Sequence, residues 1–512
     1  MNHCLLFGAT NGGFHRSAGA HRIASYLRLQ NWDAEVIDFA EHWSLDQLKL
    51  LAQQRITKNT KFLGYSFTFN RTTSAQEFYD FNKWVRETWP HVIFISGGHS
   101  TPLFDSNVDY HVMGYGEYAL DALLKWLFSN GEKPKFNLLL KRTSAQVIDA
   151  LHAYPAYPFP DADIKYEHRD FMTPTDHGSI EFSRGCKFQC KFCNFPILGV
   201  KGDYSRSQES VYEQLMYNYD NFGIQDYGIA DETFNDRTEK ITKFADVVER
   251  LPWRPYFSSF IRPDLIISRP QDREELLRMG LTAQFYGVET FNPKSAKYIG
   301  KGMDPEKVKA GLIDVKNFFI KNVGHRYRAY MSLIAGLPYE TLGTLETTKQ
   351  WVKHNWMDQT VGVAPLIVHQ PDEPRSSILD SNYQKLGYEA ITFNVNDYAS
   401  AMNLNIDEVK DLDHFPFYED VIGDNGILWK NTEMTVYQAA KWASDINNLH
   451  WLGNISVKRI DALNVVMLFC DENGVPLTTD QKLKLIGNAK ISTALSNANK
   501  YIQNYINKKL NV

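Results

Sequence analysis

Strand-like and helix-like segments alternate along the first 130 residues. Short apolar runs, typical of strands buried on both faces, are separated by stretches in which apolar positions recur at helical spacing. The predicted strands are His3–Ala9, Ala34–Phe39, Lys61–Phe67, His91–Ser96 and Tyr110–Met113. The predicted helices are Ala18–Gln30, Leu45–Gln53, Ala75–Trp89 and Glu117–Phe128. This alternation predicts an α/β, doubly wound, Rossmann-like domain over residues 1–135, with ligands bound beyond the carboxyl ends of the strands.

A second alternating region covers residues 179–368. Its predicted strands are Ser179–Ser183, Gln225–Ala230, Pro255–Phe260, Ala283–Val288, Arg326–Ile334 and Thr360–Val368. Helical patterns lie between them, so we expect a partial (β/α)6 barrel. Residues 136–178 are interpreted as a linker because they contain the proline-rich run 154–160. Residues 369–512 carry helical patterns at Thr432–Asn448 and Thr479–Lys509 and are expected to form a mostly helical C-terminal domain.

The composition excludes several classes of protein. The chain has 512 residues, of which 43% are hydrophobic and 22% charged, which is typical of globular domains and not of disordered chains or coiled coils. The formal net charge of -5 provides no overall positive field, so a nucleic-acid partner is not expected. No apolar run approaches the length of a membrane span, and the N-terminus lacks the pattern of a signal peptide. We therefore expect a cytoplasmic protein without a membrane partner.

Three of the five cysteines form a cluster in the sequence. Cys186, Cys190 and Cys193 have the spacing Cys-x3-Cys-x2-Cys in a loop after a predicted strand. Thiolates suit iron–sulfur clusters and zinc, and three of them on one loop hold three irons of a 4Fe–4S cube and leave the fourth open for chemistry. Structural zinc or a closed cluster is the alternative, although zinc sites favour paired knuckles or several histidines. Cys4 and Cys470 lie in apolar runs and are interpreted as packed core thiols.

With Phe192 before the last cysteine, this segment resembles the radical SAM superfamily, whose motif is Cys-x3-Cys-x-aromatic-Cys. The resemblance implies that the open iron binds the amino and carboxylate groups of S-adenosylmethionine (SAM). It also implies that one electron then cleaves the S–C5′ bond to give a 5′-deoxyadenosyl radical. A flavodoxin- or ferredoxin-type donor is implied as the source of that electron.

Four later segments also resemble the family, in the order expected after successive barrel strands. They are residues 230–234 (ADETF), 262–264 (RPD), 287–290 (GVET) and 336–341 (GLPYET). The resemblance implies a set of residues that bind SAM, namely Phe192, Asp231, Glu232, Arg262, Glu289, Gly336 and Pro338.

The N-terminal region resembles the cobalamin-binding class of radical SAM proteins. The family pattern places small residues after the first, third and fourth strands, and Gly-Glu-Gly-Glu before the last helix. The resemblance implies cobalamin contacts from Asn11, Gly12, Gly13, Ser66, Thr68, Gly97, Gly98, Gly116 and Glu117. Tyr115 departs from the usual glutamate. A methylthiotransferase is disfavoured because those enzymes hold a second cluster on three N-terminal cysteines, whereas this domain has only Cys4.

A possible cobalt ligand is also present in this region. Residues 109–114 fit Asp-x-His-x2-Gly, by which some cobalamin enzymes bind cobalt through histidine. In those proteins the motif follows the first strand, whereas His111 lies in a predicted strand before the last helix. We interpret this match as coincidence.

The leading hypothesis is a cobalamin-dependent radical SAM enzyme that transfers a methyl group to an unactivated carbon. One alternative is a radical SAM enzyme without cobalamin that catalyses rearrangement or cyclisation. The other is a non-enzymatic metal-binding or electron-carrier protein. Further catalytic residues and the substrate are not assigned. Polar and aromatic residues of the C-terminal region are interpreted as core or surface in preference to pocket lining: His414, Phe415, Tyr418, Trp429 and Lys430.

Overall fold

The computed structural model describes residues 1–9, 16–67, 75–98, 107–136, 144–153, 163–195, 197–371, 376–403, 405, 426–447, 472–475, 477 and 491–511. The first strands are β1 Asn2–Ala9, β2 Trp32–Ile37, β3 Thr60–Phe67, β4 Ile93–Gly98, β5 Tyr110–Met113 and β6 Gln146–Asp149. The helices among them are α1 Ala18–Leu29, α2 Leu45–Arg55, α3 Ala75–Thr88, α4 Glu117–Phe128 and α5 Ala150–Ala153. All six strands are parallel, in the order β2-β1-β3-β4-β5-β6.

The predicted doubly wound domain is confirmed, with one strand more than expected. β6 lies in the segment interpreted as a linker, and it pairs with β5 from Tyr110↔Gln146 to Met113↔Asp149. The prolines on which the linker interpretation was based lie C-terminal to this strand, in residues 154–160. Residues on β1 alternate between two hydrophobic clusters, one on each face of the sheet, because helices cover both faces.

The second sheet is the predicted partial barrel. Its strands are β7 His177–Ile180, β8 Asp226–Ile229, β9 Tyr256–Ile261, β10 Leu281–Glu289, β11 Arg328–Ala335 and β12 Thr360–Pro365. Its helices are α6 Gln208–Phe222, α7 Thr238–Glu249, α8 Pro263–Ser268, α9 Gln271–Met279, α10 Pro293–Ile299, α11 Pro305–Val323 and α12 Leu342–Asn355. The parallel order β12-β11-β10-β9-β8-β7 leaves β7 and β12 as edges, so the barrel stays open.

The region after the barrel does not form a separate domain in the part that the structure describes. Its elements are β13 Val368–His369, β14 Glu389–Ala390, α13 Val395–Met402, β15 Gly426–Ile427, β16 Trp429–Lys430, α14 Val436–Asn447 and α15 Ile491–Leu510. β13 pairs with β15 and β14 with β16, both antiparallel. α14 packs on β12 within the barrel's hydrophobic cluster. The described helices of the expected mostly helical C-terminal region thus bury their apolar faces on the two sheets.

The last helix, α15, returns to the N-terminal domain. Tyr501, Ile502, Tyr505 and Ile506 join the same hydrophobic cluster as the apolar face of α2. Polar contacts hold the helix in place beneath these residues. Arg16 Nη2 donates to Tyr501 Oη at 2.9 Å, and the Asp38 backbone N–H donates to Tyr505 Oη at 3.0 Å. None of the described helices combines the length and apolar character needed to cross a bilayer.

A buried ion pair at the end of α15 gives a test of this docking. Lys509 Nζ lies 3.0 Å from Glu35 Oε1 and donates to Val36 O at 2.8 Å. Lys509→Ala leaves the buried Glu35 carboxylate with only the partly exposed Arg55 at 3.4 Å. We expect the free energy of unfolding, measured by urea titration, to fall by about 2–3 kcal/mol. The neighbouring exposed Lys508 is the matched control, and Lys508→Ala should change it by less than about 0.5 kcal/mol. Equal effects of the two variants would contradict the docking.

Candidate active site at the carboxyl ends of the second sheet

The three cysteines lie on the loop after β7. Cys186 is buried, and Cys190 and Cys193 are half-buried. Backbone hydrogen bonds close the loop, from Cys186 N–H to Ile197 O at 2.9 Å and from Cys193 N–H to Cys190 O at 3.0 Å. Burial raises the pKa of the Cys193 thiol to about 11, and the nearby thiols of Cys190 and Cys186 act in the same direction.

This donor set fits an iron–sulfur cluster. In the part of the chain that is described, no three His, Cys, Asp or Glu side chains are arranged to hold a metal ion as a group. The thiolates of a 4Fe–4S cluster bind separate irons, so they need not converge on one point as the ligands of a single zinc ion do. Soft thiolates on a single loop are the donors that such a cluster requires.

Three consecutive residues after β8 hold the start of the cysteine loop by hydrogen bonds. Asp231 accepts hydrogen bonds from Phe182 N–H at 2.7 Å and from the Ser183 hydroxyl at 2.5 Å. Glu232 Oε2 accepts from Gly185 N–H at 3.0 Å, and Thr233 Oγ1 lies 3.3 Å from Cys186 Sγ.

These contacts give two of the expected site residues a structural role. Asp231 and Glu232 are implied as SAM contacts by the resemblance, but both carboxylates are turned toward the cysteine loop. Asp231 is 1% exposed, and Lys240 Nζ lies 3.7 Å from its Oδ2. Burial raises the pKa of Glu232 to about 8. The structure therefore makes both residues supports of the loop that carries the cysteines.

Arg262, which the resemblance implies as a SAM contact, brings a cation to the cysteine loop. It follows β9, where its backbone N–H donates to Asn235 Oδ1 at 2.8 Å. Its guanidinium lies 3.8 Å from the centre of the Phe188 ring, and its Nη1 lies 3.3 Å from Cys190 Sγ. Asp264 orients the group through a contact of 2.8 Å between Nη2 and Oδ2. Burial disfavours the charged form of Asp264, but Arg262 outweighs it and lowers the pKa of that carboxyl.

Glu289 lies at the end of β10 in an uncommon backbone conformation. Its φ is +68°, a region that costs a residue other than glycine about 1–2 kcal/mol. The strand register shifts between Gly287 and Glu289. Lys301 holds this turn, since its Nζ donates to Gly287 O at 2.7 Å and lies 3.4 Å from Glu289 Oε1. Lys301 Nζ is also 5.9 Å from the Phe192 ring centre, so Glu289 and Phe192 share a neighbour.

The loop after β11 is held by a buried glutamate that was not among the expected site residues. Glu340 Oε2 accepts from Gly336 N–H at 2.9 Å and from Leu337 N–H at 3.1 Å. Its Oε1 accepts from the Thr290 hydroxyl at 2.5 Å, which ties this loop to the one after β10. Burial raises the pKa of Glu340 to about 7. Pro338 O accepts from Ser295 Oγ at 2.6 Å in the same loop.

Gly336 has to be glycine at this position. Its φ is +92°, and a Cβ there would lie 2.4 Å from the Trp429 ring. Trp429 is fully buried and donates its Nε1–H to Leu366 O at 2.9 Å, which confirms its interpretation as core. The exposed Lys430 pairs with Glu389 at 3.1 Å. His414, Phe415 and Tyr418 lie outside the described residues.

Replacing Glu340 tests whether it shapes the loop. Glu340→Gln keeps the size but offers one acceptor oxygen for the three donors, so at least one buried donor loses its partner. We expect the free energy of unfolding to fall by about 1–3 kcal/mol and the affinity for SAM to fall several-fold. Urea titration and isothermal titration with SAM measure the two effects. Glu346→Gln, on the exposed face of α12, should change neither. Unaltered SAM affinity in Glu340→Gln would remove this residue from the site.

The loop that follows β5 contacts the cysteine loop directly. Tyr115 Oη donates to Glu232 Oε1 at 2.9 Å. Glu117, at the start of α4, lies in a buried network in which Arg184 Nη2 is 2.5 Å and Arg22 Nε 3.0 Å from its Oε1. Glu117, an expected cobalamin contact, joins the two domains through its carboxylate. Tyr115, at the position where the family pattern has a glutamate, makes a second contact between the two domains through its hydrogen bond to Glu232.

The carboxyl edge of the first sheet is lined by small residues. Ser66, Gly97 and Gly98 lie half-buried among the last residues of β3 and β4. Among the described residues, a Cβ at Gly97 would meet Val112 O at 3.5 Å, which is an ordinary contact. Gly116 is the N-cap of α4. The remaining expected cobalamin contacts lie outside the described residues: Asn11, Gly12, Gly13 and Thr68.

His111 has a partner within the sheet. It lies inside β5, is buried, and its Nδ1 lies 2.8 Å from Ser96 Oγ of the adjacent strand. Asp109 is bound to Arg86 at 2.9 Å. This placement supports the interpretation of the Asp-x-His-x2-Gly match as coincidence.

Comparison with known proteins identifies the class of the second sheet. Residues 180–352, from the end of β7 into α12, match the Radical SAM superfamily. The chain therefore contains a radical SAM domain, which implies a 4Fe–4S cluster and SAM as its cofactors.

Two curated relatives are similar in sequence to part of this chain. An uncharacterised methyltransferase of Pyrococcus horikoshii is 24% identical over 197 residues, 38% of this chain and 41% of its own. Hopanoid C-3 methylase of Methylococcus capsulatus is 22% identical over 299 residues, 55% of each. This chain thus spans about half the length of these two relatives.

The fold of both domains recurs in a solved structure. The radical SAM methyltransferase TsrM of Kitasatospora setae, determined with cobalamin and a [4Fe–4S] cluster bound, superposes with a TM-score of 0.56 at 15% identity. The match covers 77% of this chain and 78% of TsrM, so it includes more than the radical SAM domain. It shows that the arrangement of the two α/β domains is shared.

Proposed function

We propose that this chain is a cobalamin-dependent radical SAM enzyme that transfers a methyl group to an unactivated carbon of its substrate. The main observation in support of the proposal is direct side-chain contact between the carboxyl ends of the two sheets. Tyr115 contacts Glu232 at 2.9 Å, and Glu117 contacts Arg184 at 2.5 Å. Since ligands of parallel sheets bind at these ends, a ligand of the first domain faces the cysteine loop of the second.

Each group of site residues has its own role in the proposed reaction. Cys186, Cys190 and Cys193 would hold the cluster, and Arg262 places a positive charge beside Cys190, where it would meet the SAM carboxylate. When bound, the cluster and SAM would supply a 5′-deoxyadenosyl radical, and cobalamin would supply the methyl group. Residues 231–233 keep the cysteine loop in position, and Glu340 shapes the loop that would receive the adenine.

Three observations support cobalamin as the ligand of the first domain. The residues Ser66, Gly97 and Gly98 at the carboxyl edge of the sheet are small, which allows a flat ring to approach the backbone there. The solved relative with the same two-domain arrangement holds cobalamin. Similar proteins are methyltransferases by name. Substrate and electron donor belong to the proposal as well: an organic molecule with an unactivated carbon, and a flavodoxin- or ferredoxin-type protein.

Metal analysis after anaerobic reconstitution with iron, sulfide and hydroxocobalamin tests the proposal. We expect about four irons and about one cobalt per chain, and formation of 5′-deoxyadenosine from SAM under reducing conditions. Four irons without cobalt would replace methyl transfer by the alternative of rearrangement or cyclisation. Zinc in place of iron, or no cleavage of SAM, would overturn the radical SAM assignment and leave a metal-binding or electron-carrier protein.

A further inference from the structure

A basic surface with exposed apolar side chains lies beside the cysteine loop. Four described segments form it: residues 186–195, 290–302, 336–342 and 376–380. These segments contain five lysines and only two carboxylates, although the whole chain has more acidic than basic residues. The two carboxylates, Glu340 and Asp380, are 3% and 1% exposed. The charge that these segments present to the solvent is therefore positive.

Backbone hydrogen bonds join the cysteine loop to its neighbours at this surface. Lys191 N–H donates to Ile299 O at 3.1 Å, and Lys191 O accepts from Leu379 N–H at 2.8 Å. The Lys191 ammonium lies 4.1 Å from the centre of the Tyr298 ring, within the range of a cation–π contact. Because Lys191 directly follows Cys190, the surface begins one residue from a cysteine that would hold the cluster.

Two further lysines extend the positive charge along α10. Lys294 and Lys297 lie three residues apart, so they are neighbours on the helix surface, and both are exposed. Lys301, further along the chain, is held by Glu289 at 3.4 Å. Neither Lys294 nor Lys297 has such a partner in the part of the chain that the structure describes. Together with Lys191 they form a positive field that attracts an acidic molecule.

Exposed apolar side chains adjoin the lysines. Tyr339 is 54% and Ile378 is 50% exposed. The centre of the Tyr339 ring lies 5.9 Å from that of the Tyr298 ring, and Asn292 Nδ2 donates to Tyr339 O at 3.1 Å. Tyr339 has a φ of +71°, which is unfavourable for a residue with a Cβ. An aromatic ring held in the solvent by a strained turn is typical of a contact with another molecule.

The basic and apolar parts together make one continuous surface. We call it the lysine–tyrosine surface, and its members are Lys191, Lys294, Lys297, Tyr298, Tyr339 and Ile378. A small apolar centre with charged residues around it has the composition of a protein–protein interface.

The position of the lysine–tyrosine surface indicates which kind of protein it binds. Reductive cleavage of SAM consumes one electron, and that electron has to reach the cysteine loop from another molecule. Apart from the three cysteines of this loop, the free thiol in the described part of the chain is that of Cys4, which is buried in the other domain. Electron-transfer partners form small, transient contacts, and complementary charges bring them together rapidly.

We propose that the lysine–tyrosine surface docks an acidic one-electron carrier protein of the flavodoxin or ferredoxin type. This inference rests on the proposed function. In the transfer the carrier is oxidised by one electron and the cluster is reduced by one. The same electron then breaks the S–C5′ bond of SAM, which gives methionine and the 5′-deoxyadenosyl radical.

Fluorescence anisotropy of labelled carrier proteins, titrated with the reconstituted protein without oxygen, tests the inference. The probes are an acidic flavodoxin, an acidic plant-type ferredoxin and, as a basic carrier, cytochrome c. We expect at least one acidic carrier to bind more tightly than cytochrome c, and the tighter of the two acidic carriers identifies the type of donor. Its binding should weaken as the ionic strength rises, because salt screens exposed charges.

A charge-reversal variant tests the two exposed lysines of α10. Lys294→Glu combined with Lys297→Glu should weaken binding of the acidic carrier by about tenfold or more, because two attractive charges become repulsive. The matched control is Lys58→Glu combined with Lys83→Glu, which changes the net charge equally at exposed positions of the N-terminal domain. The control should have a much smaller effect on binding.

Tyr339→Ala tests the apolar part of the same surface. It removes an exposed ring without changing the charge, so it should weaken binding of the acidic carrier, and this loss should persist at high ionic strength. Iron content, measured on each sample, shows that the domain has folded. If the charge-reversal variant of α10 loses its iron, Tyr339→Ala carries the test.

The source of the electron provides a second measurement. With limiting reduced carrier, the α10 variant should form 5′-deoxyadenosine about tenfold more slowly than the unchanged protein. With dithionite, a small reductant that needs no docking surface, the two proteins should form it at the same rate.

Three results would overturn the inference. In the first, neither acidic carrier binds more tightly than cytochrome c. In the second, the α10 variant and its control bind the carrier equally well. In the third, single-stranded polyuridylate binds more tightly than either carrier and loses its binding in the α10 variant, which would make the lysines a nucleic-acid site.

The proposed function is tested separately by cobalt content and by SAM cleavage with dithionite in the unchanged protein. If both are present while one of these three results is obtained, only the docking surface is wrong. If either is absent, the proposed function fails.

Discussion

Replacement of Cys190 by alanine abolishes SAM cleavage if the cysteine loop holds the cluster. The variant removes one of three thiolates, and two thiolates cannot hold a cluster that needs three protein ligands. Loss of an outer partner of a metal ligand already costs 10–100-fold in metal affinity or activity, so loss of a ligand costs at least about a hundredfold. We expect little bound iron and 5′-deoxyadenosine below the limit of detection, measured by iron analysis and liquid chromatography.

A buried thiol elsewhere in the chain is the matched control. Cys4 lies in β1, fully buried among apolar residues of the N-terminal sheet. Burial raises the pKa of its thiol, as expected for a sulfur packed among apolar side chains. Cys4→Ala should retain iron and SAM cleavage. SAM cleavage by Cys190→Ala at the rate of the Cys4→Ala variant would disprove the cluster assignment.

The buried network between the domains predicts the largest effect on stability. Arg184 is 3% exposed and contacts Glu117 at 2.5 Å and Glu181 at 2.7 Å. Arg184→Met leaves the buried Glu117 and the largely buried Glu181 to share Arg22. We expect the free energy of unfolding to fall by about 3–5 kcal/mol, measured by urea titration. Arg250→Met is the control, because its pair with Glu209 is exposed and is worth at most about 1 kcal/mol.

The pH dependence distinguishes loss of the ion pair from loss of packing. Burial alone would raise the pKa of Glu117, but Arg184 and Arg22 outweigh it and lower the pKa from 4.5 to about 2. A lowered pKa contributes stability above the ordinary value, and that contribution is lost as the pH falls from about 4.5 toward 2. The difference in the free energy of unfolding between the unchanged protein and Arg184→Met should therefore become smaller as the pH falls through this range. If this difference does not change with pH, the loss of stability in Arg184→Met comes from lost packing.

A double variant provides a further check on the same network. Adding Glu117→Met to Arg184→Met removes one charge of each sign and leaves Arg22 with Glu181, 4.0 Å away. We expect most of the lost stability to return, because no buried carboxylate is then in excess. Further loss in the double variant would contradict the electrostatic explanation.

Both sheets were predictable from the sequence because parallel strands carry a strong local signal. β1 and β3 are apolar on both faces, and the barrel strands alternate with amphipathic helices, so period and length identify them. The strand β6 was not predicted, because it has only four residues and lies close to a proline-rich segment that is typical of a linker. The position of α15 was not predictable either, since an amphipathic helix does not specify which apolar surface it covers.

The sequence by itself determined the chemistry of the site and the order of its parts. Cysteine spacing depends on neighbours in the chain, and so do the glycine turns and the acidic residues that follow each strand. Only the tertiary structure decided what each polar side chain contacts. Asp231 and Glu117 occupy the expected motifs, yet one pins the cysteine loop and the other pairs with Arg184 across the domain boundary. Phe260, Phe285 and Tyr330 are far apart in the sequence, and pairing of their strands stacks them into one surface. Their contacts arise from residues distant in the chain, whose proximity is set by packing of the whole fold.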